Sequence, residues 1–196
     1  MPIYVDHDER RDQIMDAAIA ILGEGGFKQL TLRAVGNRLG GSVTLVTHYF
    51  PTREELLHAM LERTLEDARS MQDQLVAIED PHERLRAVIR YFLPLDDSEL
   101  AIETARVALA SAHQSEPAIQ AHYAAIEPVM RELVRRSITD LLPQDRIEPV
   151  IDLIRVWTGG MVLSVIEHPE MWPPERQIEA LQDFLEVTDL PVAVSA

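Results

Sequence analysis

The stretch from Gly25 to Arg53 carries the side chains whose chemistry is most readily interpreted. Its four charged residues are all basic, and a hydroxyl residue stands at each place where a short helix would begin. Guanidinium groups bind phosphate through charge-assisted hydrogen bonds, and the amides at a helix N-terminus also favour an anion. Thr31 and Ser42 are the residues expected to cap these helices. The stretch is therefore predicted to bind a phosphate-rich surface.

Glycines divide this region into three helices. The first helix ends at Gly25-Gly26, the second at Gly40-Gly41, and the third before Pro51. Two short helices joined by a glycine-containing turn have the helix-turn-helix layout. In the third helix, Val46 and Phe50 lie one turn apart and are expected to face the core, which leaves polar side chains outside. On layout alone, a DNA-binding unit and an ordinary pair of bundle helices remain equally open.

The charge distribution supports contact with an anionic partner at this end only. The 196 residues carry a net charge of −15, yet residues 1–53 hold six basic and six acidic side chains and sum to zero. A uniformly acidic chain would repel nucleic acid. Composition is 46% hydrophobic and 26% charged, which is typical of a soluble globular protein.

Several classes of protein are excluded or disfavoured by composition. Cysteine is absent, which excludes disulfides, thiolate metal sites and cysteine nucleophiles. The first 13 residues have no apolar core and so do not form a signal peptide. No apolar run approaches the ~18 residues that a membrane span needs. We expect a cytoplasmic protein with no membrane partner.

The whole chain is predicted to be all-α, with about nine helices. Apolar residues recur at helical spacing throughout. Helix starts are expected at Thr52, at Asp80, at Asp97 or Ser98, and at Asp145. The predicted organisation is a three-helix helix-turn-helix domain over residues 1–51 and a larger helical domain over 52–196. A long helix from Thr52 connects them, and the tail from Pro191 is expected to fray.

Residues 11–61 resemble the DNA-binding segment of the TetR family of bacterial transcriptional regulators. The resemblance is carried by Arg11, Ile14-Met15-Asp16-Ala17-Ala18, Gly26-Phe27, Thr31-Leu32-Arg33, Val35, Leu39-Gly40, Ser42, Tyr49-Phe50 and Glu55-Leu56-Leu57. It implies a dimer on a palindromic double-stranded operator, and a repressor released by a small-molecule effector. The residues expected to contact DNA are Arg11, Thr31, Arg33, Ser42, Val43, Thr44, Leu45, Thr47, His48, Tyr49 and Arg53.

The sequence departs from the family pattern at several of these positions. The family usually has Ala at Gly36, so the second helix is expected to be less stable by up to ~1 kcal/mol. The family usually has Tyr where this chain has Thr47, so a common aromatic contact to phosphate is missing here. Val43 and Thr44 replace a frequent Lys-Gly pair, so the third helix lacks a basic residue there. The operator sequence is therefore not predictable.

The second domain would, by this resemblance, bind the effector and form the dimer, and residues 85–123 are loosely similar to the BetI-like branch. Effector candidates are polar, aromatic or Met residues that interrupt apolar stripes. They are Glu103, Arg106, His122, Tyr123, Met130, Trp157 and Met161. The last two helices, with Ile151 and Leu181 on their apolar faces, are expected to form a four-helix bundle with a second copy. The competing interpretation of all these residues is an ordinary core or surface role.

Two other classes of function differ in how well the sequence supports them. A helical ligand-binding or protein-interaction module without DNA binding remains open, because residues 42–50 lack a Lys or Arg side chain. An enzyme is disfavoured, since the chain has no phosphate loop, HExxH motif or nucleophile elbow. The sequence predicts no catalytic residue, no metal site and no cofactor.

Overall fold

The computed structural model describes residues 7–190, and within them the chain is helical with no strand. Residues 1–6 and 191–196, which hold part of the stretch tested for a signal peptide and the tail expected to fray, lie outside the described residues. The prediction of an all-α protein with about nine helices is confirmed. The helices are α1 His7–Gly25, α2 Leu32–Arg38, α3 Val43–Tyr49, α4 Arg53–Val76, α5 Pro81–Tyr91, α6 Asp97–Ala110, α7 Pro117–Ile138, α8 Gln144–Glu167 and α9 Pro174–Val187.

Three of the expected caps are present. The Thr31 hydroxyl accepts a hydrogen bond from the Ala34 amide at 3.1 Å, and the Thr52 hydroxyl accepts one from the Glu55 amide at 3.1 Å. Asp80 accepts from the second and third amides of α5, at 2.8 and 2.9 Å. These bonds satisfy amides that have no partner within the helix. The two bonds to Asp80 also lower the pKa of its carboxyl, and the bond from the Glu83 amide has the larger effect.

Other helix starts differ from the expectation. Ser42 has the extended conformation of an N-cap, but its hydroxyl makes no capping bond. The cap of α6 is Asp96, one residue earlier than expected, because its carboxylate accepts from the Glu99 amide at 2.8 Å. Helix α8 follows Pro143 without a side-chain cap, so Asp145 lies in its first turn. Local sequence placed the start of α3 correctly, but it placed the starts of α6 and α8 one and two positions too late.

The chain divides into two compact units. The first comprises residues up to Leu65 together with Ala101–Tyr123, and the second comprises Glu66–Leu100 together with residues from Ala124 onward. Helices α4, α6 and α7 each contribute residues to both units. The predicted boundary between residues 51 and 52 lies inside the first unit. The functional division at that boundary stays a prediction.

The core of the first unit fixes the three N-terminal helices to α4. Its buried residues share an apolar character and come from α1 to α4, the turns between them and α6; they include Ile14, Ala18, Leu22, Leu30, Val35, Val46, Phe50, Leu56 and Ala105. A short 3-10 turn, Phe27–Gln29, links α1 to α2 after Gly26, whose φ of 73° favours glycine. The helix-turn-helix therefore packs directly on the first turns of α4.

Gly36 lies where α2 and the start of α3 approach most closely. A Cβ atom at this position would be 2.9 Å from the Ser42 carbonyl oxygen and 3.1 Å from the Val43 nitrogen. Ordinary contacts of a Cβ atom begin near 3.4 Å. The expectation that Gly36 merely loosens α2 is incomplete, because its missing side chain also permits this close packing.

The second unit is built around α8. Its core contains the buried residues of α5, α7, α8 and α9, among them Leu85, Val88, Ile89, Leu133, Val134, Ile138, Ile151, Ile154, Val165, Leu181 and Leu185. Buried Gln177 donates to the carbonyl oxygens of Pro94 and Trp172, at 3.1 and 3.0 Å. The apolar stripes of α5, α8 and α9 thus meet in one intrachain core. Ile151 and Leu181, expected to face a second copy, lie in this core, which agrees with the competing interpretation of these two residues.

Helix α8 bears on the expectation that no apolar run is long enough to span a membrane. Its length of 24 residues and a mean hydropathy of 1.5 over an 18-residue window would allow it to cross a membrane. Buried core helices of soluble proteins pass the same test, and 39% of this window is buried in the protein. Ile151 and Ile154 are fully buried in the second core. The helix therefore gives weak support to a membrane span.

Candidate nucleic-acid interface and effector region

The outer face of α3 is open. Val46 and Phe50 are 0% and 1% exposed, as expected of the inner face. Thr44 and His48 are exposed on the other side, and Val43 retains 42% exposure. An exposed helix face with a hydroxyl, an imidazole and a small apolar group has the chemistry that base edges and thymine methyl groups recognise.

The hydroxyl groups near this face are not equally available. Thr47 donates its hydroxyl hydrogen to the Thr44 carbonyl at 3.2 Å, and Thr31 already caps α2. The Ser42 and Thr44 hydroxyls have no hydrogen-bond partner among residues 7–190. Leu45 is half-buried and packs against the first core. Ser42 and Thr44 are therefore the hydroxyls best placed for an external partner.

The basic residues separate into two groups. Arg33 and Lys28 are exposed, and neither makes an ion pair with any residue that the structure describes. Arg11 instead donates to the Tyr49 carbonyl at 3.2 Å, and its guanidinium lies 4.4 Å from the Phe50 ring centre. Arg53 also donates to carbonyls of its own chain. Of the three arginines predicted to contact phosphate, only Arg33 is directed to solvent without such bonds.

Sequence reasoning missed His7. Its imidazole ring lies 5.7 Å from the Tyr49 ring and 6.3 Å from the His48 ring, measured between centroids. The first turn of α1 therefore borders the open face of α3. No spacing rule connects these positions, because the contact depends on how α1 packs across the helix pair.

The first unit brings four of the effector candidates into one set of contacts. Glu103 accepts a hydrogen bond from Arg106 Nε at 2.6 Å, and the Tyr123 hydroxyl donates to the Arg106 carbonyl at 2.8 Å. The Tyr123 ring lies 5.7 Å from the His122 ring. Burial raises the pKa of Tyr123, whereas burial lowers the pKa of His122 against an opposing hydrogen bond to the Leu61 backbone.

The remaining three candidates lie in the second unit. Met130 and Met161 are both 7% exposed, and Trp157 stacks on Phe184 with ring centres 4.5 Å apart. Met161 belongs to the apolar core there, and Trp157 packs against it. Phe184 was not predicted as a site residue, although its helical spacing on α9 placed it on the buried face.

An open groove between α7 and α8 was also missed. It has a volume of about 540 Å³ and is lined by Glu127, Arg131, Asp152, Arg155 and Val156. Arg155 bonds Glu127 at 2.8 Å, and its guanidinium lies 4.9 Å from the Phe92 ring centre. No group of three or more potential ligands among residues 7–190 is arranged to hold a metal ion.

Comparison with known families gives two separate matches. A family model described as bacterial regulatory proteins of the tetR family matches residues 14–60. A second, described as the C-terminal part of a BetI-type transcriptional repressor, matches residues 81–189, which is more than half of the chain. The chain belongs to the TetR family. Both matches describe regulators of transcription and not enzymes.

Curated relatives share part of this TetR-family chain. It is 32% identical over 117 residues to the HTH-type transcriptional regulator BetI of Burkholderia ambifaria strain MC40-6. The same identity and length hold for BetI of Burkholderia cenocepacia strain HI2424. In both cases the match covers 59% of this chain and 59% of the relative.

Solved structures share the fold over nearly the whole chain. A putative transcriptional regulator from Saccharomonospora viridis, in complex with choline, has a TM-score of 0.80 at 18% identity, covering 91% of this chain and 96% of that one. A transcriptional regulator from Rhodococcus sp. Rha1 has a TM-score of 0.74 at 22% identity, covering 90% and 94%. These likenesses establish the TetR-family fold and leave ligand and partners to the residues of this chain.

Proposed function

We propose that this protein is a dimeric DNA-binding repressor that leaves a palindromic operator when a small molecule binds. The observation that carries the proposal is the open face of α3, where Thr44 and His48 are exposed and no acidic side chain lies between residues 25 and 53. Phosphate contacts would come from Arg33 and Lys28, and base contacts from Thr44 and His48. Since operators lie on the chromosome, the site of action is the cytoplasm.

A second copy of the chain would cover an apolar strip on α8. Leu153, Val156 and Leu163 recur at helical spacing, with exposures of 43%, 75% and 45%. Gly160 lies on the same strip, and a Cβ atom added there would meet no other atom within 4 Å. Val187 of α9 is 85% exposed in the same unit. Burying such residues is favourable at about 25 cal/mol per Å², and a dimer would present two copies of α3 to successive major grooves.

The effector class that best fits the comparisons is a small quaternary ammonium compound such as choline. The second family match is of the BetI type, and the Saccharomonospora viridis protein was solved with choline. In this chain, ring faces of the second unit already hold cations: Arg155 lies over Phe92 and Arg176 over Trp172, at 4.9 and 4.8 Å. Effector binding would shift the population toward a state with weaker operator affinity.

DNA binding is tested with the double-stranded DNA upstream of the protein's own gene, by fluorescence anisotropy over a range of salt. We expect His48→Ala and Thr44→Ala each to weaken binding by about 1–3 kcal/mol, if each loses a base contact. His168→Ala, an exposed imidazole of the second unit, is the matched control and should bind as the wild type does. Absence of binding at low salt would favour the alternative of a helical module without DNA binding.

The effector is tested by thermal denaturation with choline chloride. Saturation at 100 times Kd stabilises the protein by about 2.7 kcal/mol, which corresponds to roughly 5–10 °C in a chain of this size. Sodium chloride controls for ionic strength, and 3,3-dimethylbutan-1-ol, the uncharged analogue of choline, controls for shape. A melting temperature that responds equally to choline and to the uncharged analogue would reject recognition of the cation.

A further inference from the structure

Arg53, at the first position of α4, uses every nitrogen of its guanidinium inside the protein. Nε donates to the Leu30 carbonyl at 2.7 Å, and Nη2 donates to the Phe27 carbonyl at 3.2 Å. Nη1 lies 3.7 Å from a carboxylate oxygen of Glu116. The guanidinium carbon also stands 4.1 Å from the Phe27 ring centre. A planar fork held in this way is oriented by its partners within the chain.

The two carbonyls that Arg53 binds mark the two ends of the segment before α2. Phe27 begins the 3-10 turn, and Leu30, which is fully buried, follows it. The next residue is Thr31, the cap of α2, and α2 in turn packs closely on α3 at Gly36. The guanidinium therefore fixes the segment that leads into α2 and so the start of the helix pair.

Glu116 belongs to the connection between α6 and α7. Its carbonyl accepts the Ile119 and Gln120 amides at 3.0 and 3.2 Å, which ties it to the first turn of α7. Ala112 and Ile119 on either side of it are buried in the small core that they share with Leu57 of α4. A shift of the α6–α7 connection would therefore move the Glu116 carboxylate relative to Arg53.

We propose that Arg53 is a positioning residue that couples the α6–α7 connection, through Glu116, to the geometry of the helix-turn-helix. This inference rests on the proposed function, and it replaces the expectation that Arg53 is a phosphate ligand. Arg53 and Glu116 are 34% and 28% exposed, so solvent screens their attraction. A screened pair of this kind corresponds to an effect of about 1.4- to 5-fold. The carbonyl bonds and the ring contact would add to the effect of changing Arg53 itself.

The DNA arm of the test compares Arg53→Lys with Arg53→Gln on the upstream fragment. Lysine keeps the charge but cannot span two carbonyls and a carboxylate, so we expect both variants to lose about 10-fold or more in affinity. The slope of log K against log salt should stay at the wild-type value in both. A phosphate role predicts the opposite: near-wild-type binding by Arg53→Lys, and a slope smaller by about 0.9 per subunit in Arg53→Gln. That result would overturn the proposal.

The second arm needs no DNA and uses Glu116→Gln, a conservative change at a partly exposed position. We expect hydrogen exchange at the Gln29 and Leu30 amides to become about 1.4- to 5-fold faster, at unchanged fraction folded. Glu62→Gln, on an exposed carboxylate paired with His58 at 3.2 Å, is the matched control and should leave those amides unchanged. A structural role confined to α7 would alter only amides near Glu116.

The two arms separate failure of the inference from failure of the proposed function. Faster exchange at Gln29 and Leu30 in Glu116→Gln supports the coupling even if no DNA fragment is bound, and only the repressor assignment would then fail. Wild-type exchange at both amides overturns the coupling whether or not the protein binds DNA.

Discussion

Replacing Gly36 by alanine sets two physical effects of opposite sign against each other. Within a helix, alanine is more favourable than glycine by about 0.8–1.0 kcal/mol. The new Cβ would, however, lie 2.9 Å from the Ser42 carbonyl oxygen, against ordinary contacts that begin near 3.4 Å. The atoms it meets belong to the backbone, so α2 and α3 would have to separate. Overpacking of this kind costs about 1–3 kcal/mol.

We expect the packing cost to exceed the propensity gain, so Gly36→Ala should lower the free energy of unfolding by up to about 2 kcal/mol. The matched control is Gly159→Ala in α8, where nothing lies within 4 Å of the added carbon. There only the propensity term acts, and the variant should be more stable by about 1 kcal/mol.

The assay is thermal and urea denaturation of both variants at one protein concentration. In a chain of this size 1 kcal/mol corresponds to about 2–4 °C in Tm, so the two variants should move in opposite directions from the wild type. Gly36→Ala should also weaken binding to the upstream DNA, because α3 is displaced from α2. A rise in Tm for Gly36→Ala equal to that of Gly159→Ala would refute the close approach of α2 and α3.

Three further predictions test other parts of the structure. Burial lowers the pKa of His122 below the ordinary 6.5. The folded state therefore binds fewer protons than the unfolded state, and the free energy of unfolding should fall as pH drops below that value. His122→Gln should flatten this pH dependence in denaturation measured between pH 7.5 and 5. Gly160→Ala should stabilise α8 as a helix. If a partner copy packs closely at this residue, the substitution should also raise the dimer dissociation constant measured by sedimentation equilibrium. An unchanged dissociation constant would argue against a dimer interface at Gly160. Arg84 is only 9% exposed and is bonded to Asp140 at 2.6 Å. Asp140→Asn removes its charged partner and should lower the free energy of unfolding in urea by about 1–3 kcal/mol. Asp152→Asn, which changes a more exposed pair, should lower it by about 1 kcal/mol or less.

Local patterns were sufficient for most of the secondary structure. Thr31, Thr52 and Asp80 cap their helices as predicted, since a cap depends only on the next two or three amides. The start of α6 was placed one residue late because Asp96, Asp97 and Ser98 are all suitable caps, and only the folded backbone selects Asp96. The inner and outer faces of α3 followed from spacing alone.

The contacts of individual site residues were harder to predict. A basic side chain looks the same in sequence whether it faces solvent or its own backbone, and Arg11 and Arg53 were both expected to meet phosphate. In the folded chain Arg11 binds the Tyr49 carbonyl and Arg53 binds those of Phe27 and Leu30. These partners are distant in sequence, so no local rule reveals them. The proximity of His7 to His48 has the same origin.

The sequence by itself determined that the chain is helical, where most helices begin, which faces are apolar, and that its N-terminal part resembles a DNA-binding segment. These properties depend on hydrogen bonds and side-chain periodicity within a few residues of one another. Only the tertiary structure decided which arginines bond to carbonyls of their own chain, why glycine stands at position 36, and which apolar residues of α8 remain exposed to solvent. Those outcomes depend on helices packed together from distant parts of the chain, where a small displacement or one carbonyl oxygen sets what a side chain can do.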